Sequence, residues 1–266
     1  MKHRPRKRFG QNFLHDQGVI RGIVAAIHPQ TGERLAEIGP GLGALTAPLL
    51  DALGAIDVVE LDRDLIPHLQ QQFADAGELR IHNTDALKFD FCSLVAQGES
   101  LRVVGNLPYN ISTPLIFHLL AQSHCIRDMH FMLQKEVVDR LAAEPGNGDY
   151  GRLSVMVQYH CQVERLFTVP PGAFNPPPKV HSAIVRLTPY TEKPVTVKDE
   201  AKLSRLVAQA FGQRRKTLRN NLKPLLDSAT IEALGIDPGR RPETLSLKEF
   251  AALADALSDA QSEGRD

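Results

Sequence analysis

Residues 105–110 read Gly105-Asn106-Leu107-Pro108-Tyr109-Asn110 and directly follow an apolar stretch that reads as a strand. An aromatic exocyclic amine such as adenine N6 is a poor nucleophile, because its lone pair is delocalised into the ring. Acceptors placed on its two N–H groups help to localise that pair. The Asn106 side-chain oxygen and a turn carbonyl at Leu107 or Pro108 suit this task. Pro108 would fix the turn, and Tyr109 would offer a ring on which an extruded base stacks. The amine becomes acidic as it is methylated, so the remaining work is positioning for in-line attack on a methyl group. The plainer alternative is a Pro-Tyr turn that only packs the end of a sheet. Phe174, just before Pro176-Pro177-Pro178, has two open readings: a second aromatic face for the base, or core packing.

Three further features lie where such a site needs them. Glu37-Ile38-Gly39-Pro40-Gly41-Leu42-Gly43 falls between a strand and a helix. Glycines such as Gly39 and Gly41 let a ligand approach the backbone. The G-x-G-x-G spacing favours an adenosyl ligand without pyrophosphate over the G-x-G-x-x-G turn of dinucleotide enzymes. Glu60 ends the next strand, about twenty residues on, where an acid meets ribose hydroxyls. Asp85 follows the third strand and suits an adenine amino group. Each alone reads as a loop or strand-end charge. Their shared place at the carboxyl ends of adjacent strands raises them together.

The elements that position these residues follow a βα rhythm. Strands are predicted over 34–39, 56–60, 79–82, 101–105 and 128–134, and helices over 43–53, 62–73 and 111–122. Pro67 fits the second helix only within its first turn. This rhythm predicts an α/β fold: a mostly parallel, Rossmann-like sheet with helices on both faces. Residues 153–165 read as a long β-like run and 180–187 alternate cleanly, which suggests an antiparallel pair completing the sheet. From Asp199 the pattern turns helical, with Leu203, Leu206, Val207, Ala210 and Phe211 on one face. Two domains are expected, 1–190 and a helical 198–266, joined by a polar, proline-containing stretch.

The 266 residues carry 31 Lys and Arg against 31 Asp and Glu. Cations are nevertheless clustered. Residues 2–8 are almost all basic and are read as a flexible segment. Arg214, Arg215, Lys216, Arg219 and Lys223 lie within ten residues. Lys216, Arg219 and Lys223 share a spacing of three and four, with Leu218, Leu222 and Leu225 opposite. That pattern favours a phosphate-binding stripe over a merely solvated face. Cys92, Cys125 and Cys161 are odd in number and lack C-x-x-C spacing, which argues against a disulfide framework or zinc site and fits a reducing cytosol. The histidines show no paired ligand spacing, so no metal is expected. No apolar run is long enough for a bilayer, and the basic start lacks a signal core.

Taken together, these blocks resemble the KsgA/RsmA family of ribosomal RNA adenine dimethylases. The likeness covers nearly the whole chain. It rests on Phe9-Gly-Gln-Asn-Phe-Leu14, the 37–43 glycine turn, Glu60-Leu-Asp62, Asn106-Leu-Pro-Tyr-Asn-Ile-Ser-Thr113, Phe131-Met-Leu-Gln-Lys-Glu136, Tyr150-Gly-Arg-Leu-Ser154, Phe174-Asn-Pro-Pro-Pro-Lys-Val180 and Gln213-Arg-Arg-Lys216. The resemblance implies a class I methyltransferase domain, a small helical domain and S-adenosyl-L-methionine as methyl donor. By matching position, Asn12, Leu14, Gly39, Glu60, Asp85 and Asn106 would contact the donor, and Asn106 to Tyr109 with Phe174 would hold the base. The implied substrate is two adjacent adenines near the 3′ end of 16S rRNA in the 30S subunit or its precursor. A cytoplasmic monomer with a role in ribosome biogenesis is expected. Competing readings are an Erm-type 23S rRNA or DNA adenine methyltransferase, and an RNA-binding assembly factor without catalysis. A nicotinamide oxidoreductase leaves Asn106 to Tyr109 without a task.

Overall fold

The computed structural model describes residues 12–213 and 215–263. The basic 2–8 run and Arg214 lie outside them. In chain order the elements are β1 (Phe13–Leu14), α1 (Gln17–Ile27), β2 (Arg34–Ile38), α2 (Thr46–Leu53), β3 (Ala55–Val59), α3 (Ile66–Gln72), β4 (Glu78–His82), β5 (Leu101–Asn106), α4 (Ser112–Leu120), β6 (Ile126–Gln134), α5 (Lys135–Leu141), α6 (Arg152–His160), β7 (Cys161–Val169), β8 (Phe174–Asn175), β9 (Ser182–Pro189), α7 (Glu200–Ala210), α8 (Leu218–Leu222), α9 (Ser228–Ala233) and α10 (Leu247–Glu263).

Seven strands form one sheet in the order β4-β3-β2-β5-β6-β9-β7. β4, β3, β2, β5 and β6 run parallel, and β9 pairs antiparallel with β6. The strands β3, β2 and β5 are buried along almost their whole length, as parallel strands covered on both faces must be. The order reverses between β2 and β5, which opens a crevice at their carboxyl ends. The register is tight: Ile38 lies opposite Gly105 on one side and Val59 on the other, and Val59 faces His82. The residues that follow each strand therefore emerge side by side.

The expected strands and helices appear with ends shifted by a few residues. Pro67 sits in the first turn of α3, preceded by a 3₁₀ turn over Arg63–Leu65. Residues 153–165 depart from the predicted strand. They divide into α6 and β7. Val155, Met156, Val157 and Tyr159 of α6 are all buried, and an apolar run buried all round reads alike as strand or helix. The hydroxyl of Ser154 accepts the Gly151 N–H and starts the helix. The two-residue ladder of β1 with β8 and the helices α1 and α5 have no counterpart in the sequence reading.

The chain forms two compact units. The first runs to Val138 and resumes over Val163–Pro189, and the second comprises Asp139–Gln162 and Tyr190–Asp266. The sequence places the boundary near 188–198; the first unit ends at Pro189, and residues 139–162, assigned by sequence to the sheet domain, cluster with the helices of the second unit. In the second unit, α7 buries Leu203, Leu206, Val207 and Ala210 as its periodicity predicts, and Tyr150, Phe211 and Phe250 stack in series.

The cysteine expectation is corrected. Cys92 and Cys125 form a disulfide across 33 residues, while Cys161 is free and buried. Spacing could not show this, because the sheet brings the two loops together. No helix among the described residues is long and apolar enough to cross a membrane.

One buried ion pair fixes the N-terminal segment to the sheet. Arg102, at the start of β5, is 5% exposed. It donates to both Asp128 carboxylate oxygens (3.0 and 3.1 Å), to Glu33 (2.8 Å) and to the Ile27 carbonyl at the end of α1 (2.6 Å). Every donor direction of the fork has a partner. Removing it takes from Asp128 and Glu33 their most buried cationic partner, leaving Asp128 with His130 and Glu33 with the exposed Arg127, and takes a donor from the Ile27 carbonyl. Arg102→Met is expected to lower unfolding free energy by roughly 3–5 kcal/mol in urea titration; a loss within 0.5 kcal/mol, roughly the effect of an ordinary surface change, would assign the anchoring of α1 elsewhere.

Candidate active site

The first unit contains a cleft of about 320 Å³ at the carboxyl ends of β2, β3 and β5. Its lining brings together Asn12, Leu14, Gly39, Gly41, Glu60, Asp85 and Asn106 to Tyr109 from segments far apart in sequence. Arg215, Lys216, Arg219 and Lys223 belong to the second unit.

The glycine turn forms the floor. Gly39, Gly41 and Gly43 all have positive φ, at 66°, 59° and 81°. A Cβ on Gly39 would meet nothing within 4 Å, so its role is conformational: the Gly39 N–H turns back to the Val59 carbonyl at 2.9 Å. Beneath the turn, Glu37 is 2% exposed and accepts the Thr46 hydroxyl at 2.6 Å. Burial pushes its carboxyl up to about 7, against the Thr46 bond, and the neighbouring Glu60 adds to the rise. Glu60 is also buried. Its Oε1 accepts the Asp62 N–H at 2.7 Å. Burial raises its pKa against the lowering bonds from the Asp62 and Gly41 backbone. Asn83 fixes the Glu60 backbone by donating to its carbonyl at 2.8 Å. Asp85 is half-buried and accepts the Leu87 N–H at 3.0 Å.

On the other wall, Asn106 donates from Nδ2 to the Asn12 carbonyl at 3.1 Å. A carbonyl can only accept, so this bond fixes the amide with Oδ1 turned away as an acceptor. Leu107 is anchored through its N–H to the Met132 carbonyl, and the Pro108 carbonyl takes the Ile111 N–H at 3.1 Å. One lone pair of the Pro108 carbonyl is thus taken, which favours the Leu107 carbonyl as the expected turn acceptor. The Tyr109 hydroxyl lies 2.8 Å from Ser182 Oγ on β9. Burial raises the Tyr109 pKa, although the Ser182 bond opposes this. Tyr109 is therefore a held neutral ring.

Phe174 is a correction. It is 2% exposed, packs in the core with Leu14, Val169 and Ile184, and does not line the cleft. In this structure the ring makes core contacts. It sits opposite Leu14 in the β1–β8 ladder, and the Ala173 carbonyl accepts the His15 N–H. It thereby holds the N-terminal strand whose Asn12 carbonyl engages Asn106.

Sequence reasoning missed Leu61, which lines the cleft while 51% exposed. An exposed leucine directly after a strand-end acid was the available signal. It also missed Ser182, whose tie to Tyr109 spans 73 residues and leaves no local trace.

The basic cluster is built differently from the single helical stripe that its spacing predicts. The helix α8 covers only Leu218–Leu222, so Lys216 precedes it and Lys223 caps it. Arg215, Lys216, Arg219 and Lys223 are exposed. The buried Asn221 shapes their loop. Its Nδ2 donates to the carbonyls of Ala210 (2.6 Å), Gln213 (3.2 Å) and Lys216 (3.3 Å).

A sheet reversing at β2 and β5, a glycine turn, a strand-end acid and an Asn-Leu-Pro-Tyr wall define a class I S-adenosylmethionine-dependent methyltransferase. Comparison with known proteins goes further. The sequence profile described as ribosomal RNA adenine dimethylase matches residues 2–259. A ribosomal RNA small subunit methyltransferase A from Pseudomonas putida is 64% identical over 260 residues, covering 98% of this chain and 97% of that protein. One of the same name from Chromohalobacter salexigens is 61% identical, covering 97% and 93%. Among solved structures, a dimethyladenosine transferase from Plasmodium falciparum superposes with a TM-score of 0.76 at 25% identity, over 95% of this chain and 98% of that one. The 23S rRNA methyltransferase ErmE has a TM-score of 0.71 at 24% identity, over 93% and 100%, a likeness of fold. The chain belongs to the ribosomal RNA adenine dimethylase family, and its methyl donor is S-adenosylmethionine.

The buried Glu37 makes stability depend on pH with a definite sign. Its folded pKa of about 7 lies above the ordinary 4.5. Its contribution is fully present below about pH 4.5 and is lost as pH rises through about 7. Glu37→Gln removes this titration. Relative to wild type, the variant is expected to gain up to roughly 3 kcal/mol between about pH 5 and pH 8. Parallel stability curves for the two proteins in urea would show that Glu37 ionises as it does in water.

Proposed function

We propose that this chain methylates N6 of two adjacent adenines near the 3′ end of 16S rRNA, twice each, acting as a cytoplasmic monomer on the 30S subunit or its precursor. The observation that carries the reading is the fixed Asn106 amide, with Nδ2 spent on Asn12 and Oδ1 left as an acceptor. The relatives at 61–64% identity, named ribosomal RNA small subunit methyltransferase A, support the substrate class.

The donor, when bound, supplies an electrophilic methyl group. The residues of the cleft fit an adenosyl ligand. Glu60 suits ribose hydroxyls, Asp85 an adenine amino group, Leu61 the face of a flat ring, and the Gly39 turn a close-lying chain. Asn12 and Leu14 close the cleft at its β1 side. On the acceptor side, Asn106 Oδ1 and the Leu107 carbonyl bind the N–H groups of the target amine. Both bonds draw the nitrogen lone pair out of the ring and aim it. Tyr109 stacks on the base, and Pro108 keeps the turn that presents both groups. The proton leaves after the methyl arrives, when the nitrogen is acidic, so it passes to solvent without a dedicated base. Phe174 supports this arrangement by positioning β1.

On the second unit, Arg215, Lys216, Arg219 and Lys223 are the proposed phosphate contacts, joined by Arg214 outside the described residues. None of the four pairs with an acid among the described residues. An Erm-type or DNA substrate has no observation in its favour here.

Asn106→Ala is expected to lower transfer of labelled methyl groups to undermethylated small subunits by at least roughly a hundredfold, as loss of a preorganised polar group does. Subunit binding by filter assay should be unchanged. Turnover near wild type would remove Asn106 from the chemistry. Neutralising Arg215, Lys216 and Arg219 together should lessen the slope of log affinity against log salt by about 2 to 3. An unaltered slope would return the loop to a solvated face.

A further inference from the structure

Cys92 lies in the 3₁₀ turn Phe91–Leu94 and Cys125 in the 3₁₀ turn Ser123–Cys125. Neither residue lines the methyl-transfer cleft. Their Cα atoms are 5.6 Å apart, and His124 Nε2 lies 3.3 Å from Cys92 Sγ. The two sulfurs and an imidazole nitrogen all lie within 4.8 Å of one another. Cys125 is buried, Cys92 half-buried and His124 exposed, so the cluster opens to solvent on its histidine side.

The two turns are held together by more than the disulfide. Gln122 accepts the Phe91 N–H at 2.7 Å and donates to the Phe89 carbonyl at 3.2 Å. His118 Nε2 reaches the same carbonyl at 2.8 Å. The Phe91 ring is fully buried between them. Opening the disulfide therefore leaves the two turns side by side, with the sulfurs free to move apart to non-bonded distance. The Gln122 carbonyl oxygen lies 3.6 Å from Cys92 Sγ and 3.2 Å from Cys125 Sγ. A disulfide has no proton to give that oxygen, whereas a thiol has. The same oxygen also accepts the Cys125 N–H at 3.2 Å, which holds the Ser123–Cys125 turn.

We propose that Cys92, His124 and Cys125 form a redox-gated site for a thiophilic divalent cation of the zinc class, closed in the disulfide and opened by reduction. Two sulfurs and one imidazole are the donor set such ions select. Two thiolates about 2.3 Å from one ion span a gap that Cα atoms at this separation allow. Reduction by a phosphine breaks the S–S bond. The phosphine gives two electrons and takes oxygen from water, and the water protons complete two thiols. The cation then displaces both thiol protons, neutral His124 donates its lone pair, and water fills the fourth position. The inference does not depend on the methyltransferase reading.

The test uses the full chain, reduced with a phosphine, desalted anaerobically and titrated with cobalt(II), then with zinc. One equivalent of cobalt should give a thiolate-to-cobalt charge-transfer band, which zinc abolishes. The untreated disulfide form should give none. Cys161→Ser should keep the band, and Cys92→Ser with Cys125→Ser should lose it. His124→Ala should weaken binding by roughly tenfold or more. Zinc should also shield Cys92 and Cys125 of the reduced wild type from iodoacetamide, a readout that needs no variant to fold. No band and no shielding in the reduced wild type overturns the proposal, as does a band that survives loss of both cysteines. Unchanged affinity in His124→Ala overturns the three-donor set.

Discussion

The pairing of β2 with β5 is the constraint on which the site depends. Their register sets Ile38 against Gly105, so Gly39 and Asn106 emerge as neighbours from strands 67 residues apart in the chain. A slip of one residue would turn every side chain of a strand to the opposite face. It would also part the glycine turn from the asparagine. Gly105 is what allows the register: a Cβ there would stand 2.6 Å from the Ile38 carbonyl oxygen. β3 continues the same logic, since Val59 pairs with Ile38 and delivers Glu60 to the rim. Three chemical groups are thus placed by backbone hydrogen bonds, before any side chain contact is made.

What was legible in the sequence follows from this arrangement. A parallel strand buried on both faces announces itself as an apolar run, and the residue after it is at the crevice by topology. Gly39, Glu60, Asp85 and Asn106 could therefore be placed from strand ends alone. The illegible parts are those set by contacts distant in sequence. Phe174 carries the same aromatic ring whether it lines a pocket or fills a core, and only its ladder with Leu14 decides. Cys92 and Cys125 have no informative spacing because it is the fold that brings together the turns preceding β5 and β6. Residues 139–162 look continuous with the sheet domain, yet the Val155 to Tyr159 run packs as a helix in the second unit.

Charge shows the same division between local and distant causes. The chain is neutral overall, so its basic loop could be found only as a cluster. The shape of the loop is another matter. Its cations are exposed and mutually repelling, and a five-residue helix gives them little order. One buried amide, Asn221, reaches the carbonyls of Ala210, Gln213 and Lys216, from the end of α7 into the segment that carries them. An asparagine at a helical position reads as indifferent or unfavourable in sequence. Here its cost in helix propensity is offset by its hydrogen bonds, the shortest of them to the carbonyl that ends α7.

The acidic groups of the cleft decide what kind of catalysis it can perform. Glu37 is occupied by Thr46 beneath the turn, Glu60 by the Asp62 backbone, and Asp85 by Leu87. The Tyr109 hydroxyl is spent on Ser182, and burial makes it a weaker acid than in water. None of these groups stands free beside Asn106. The wall of Asn106 and Leu107 offers neutral acceptors instead of a base. Neutral acceptors cannot remove a proton from an aromatic amine, but they can hold its N–H bonds in one direction and so fix where the nitrogen lone pair points. The wall thus suits the proposed order, in which bond formation precedes proton loss, for methyl transfer onto a weakly basic exocyclic amine.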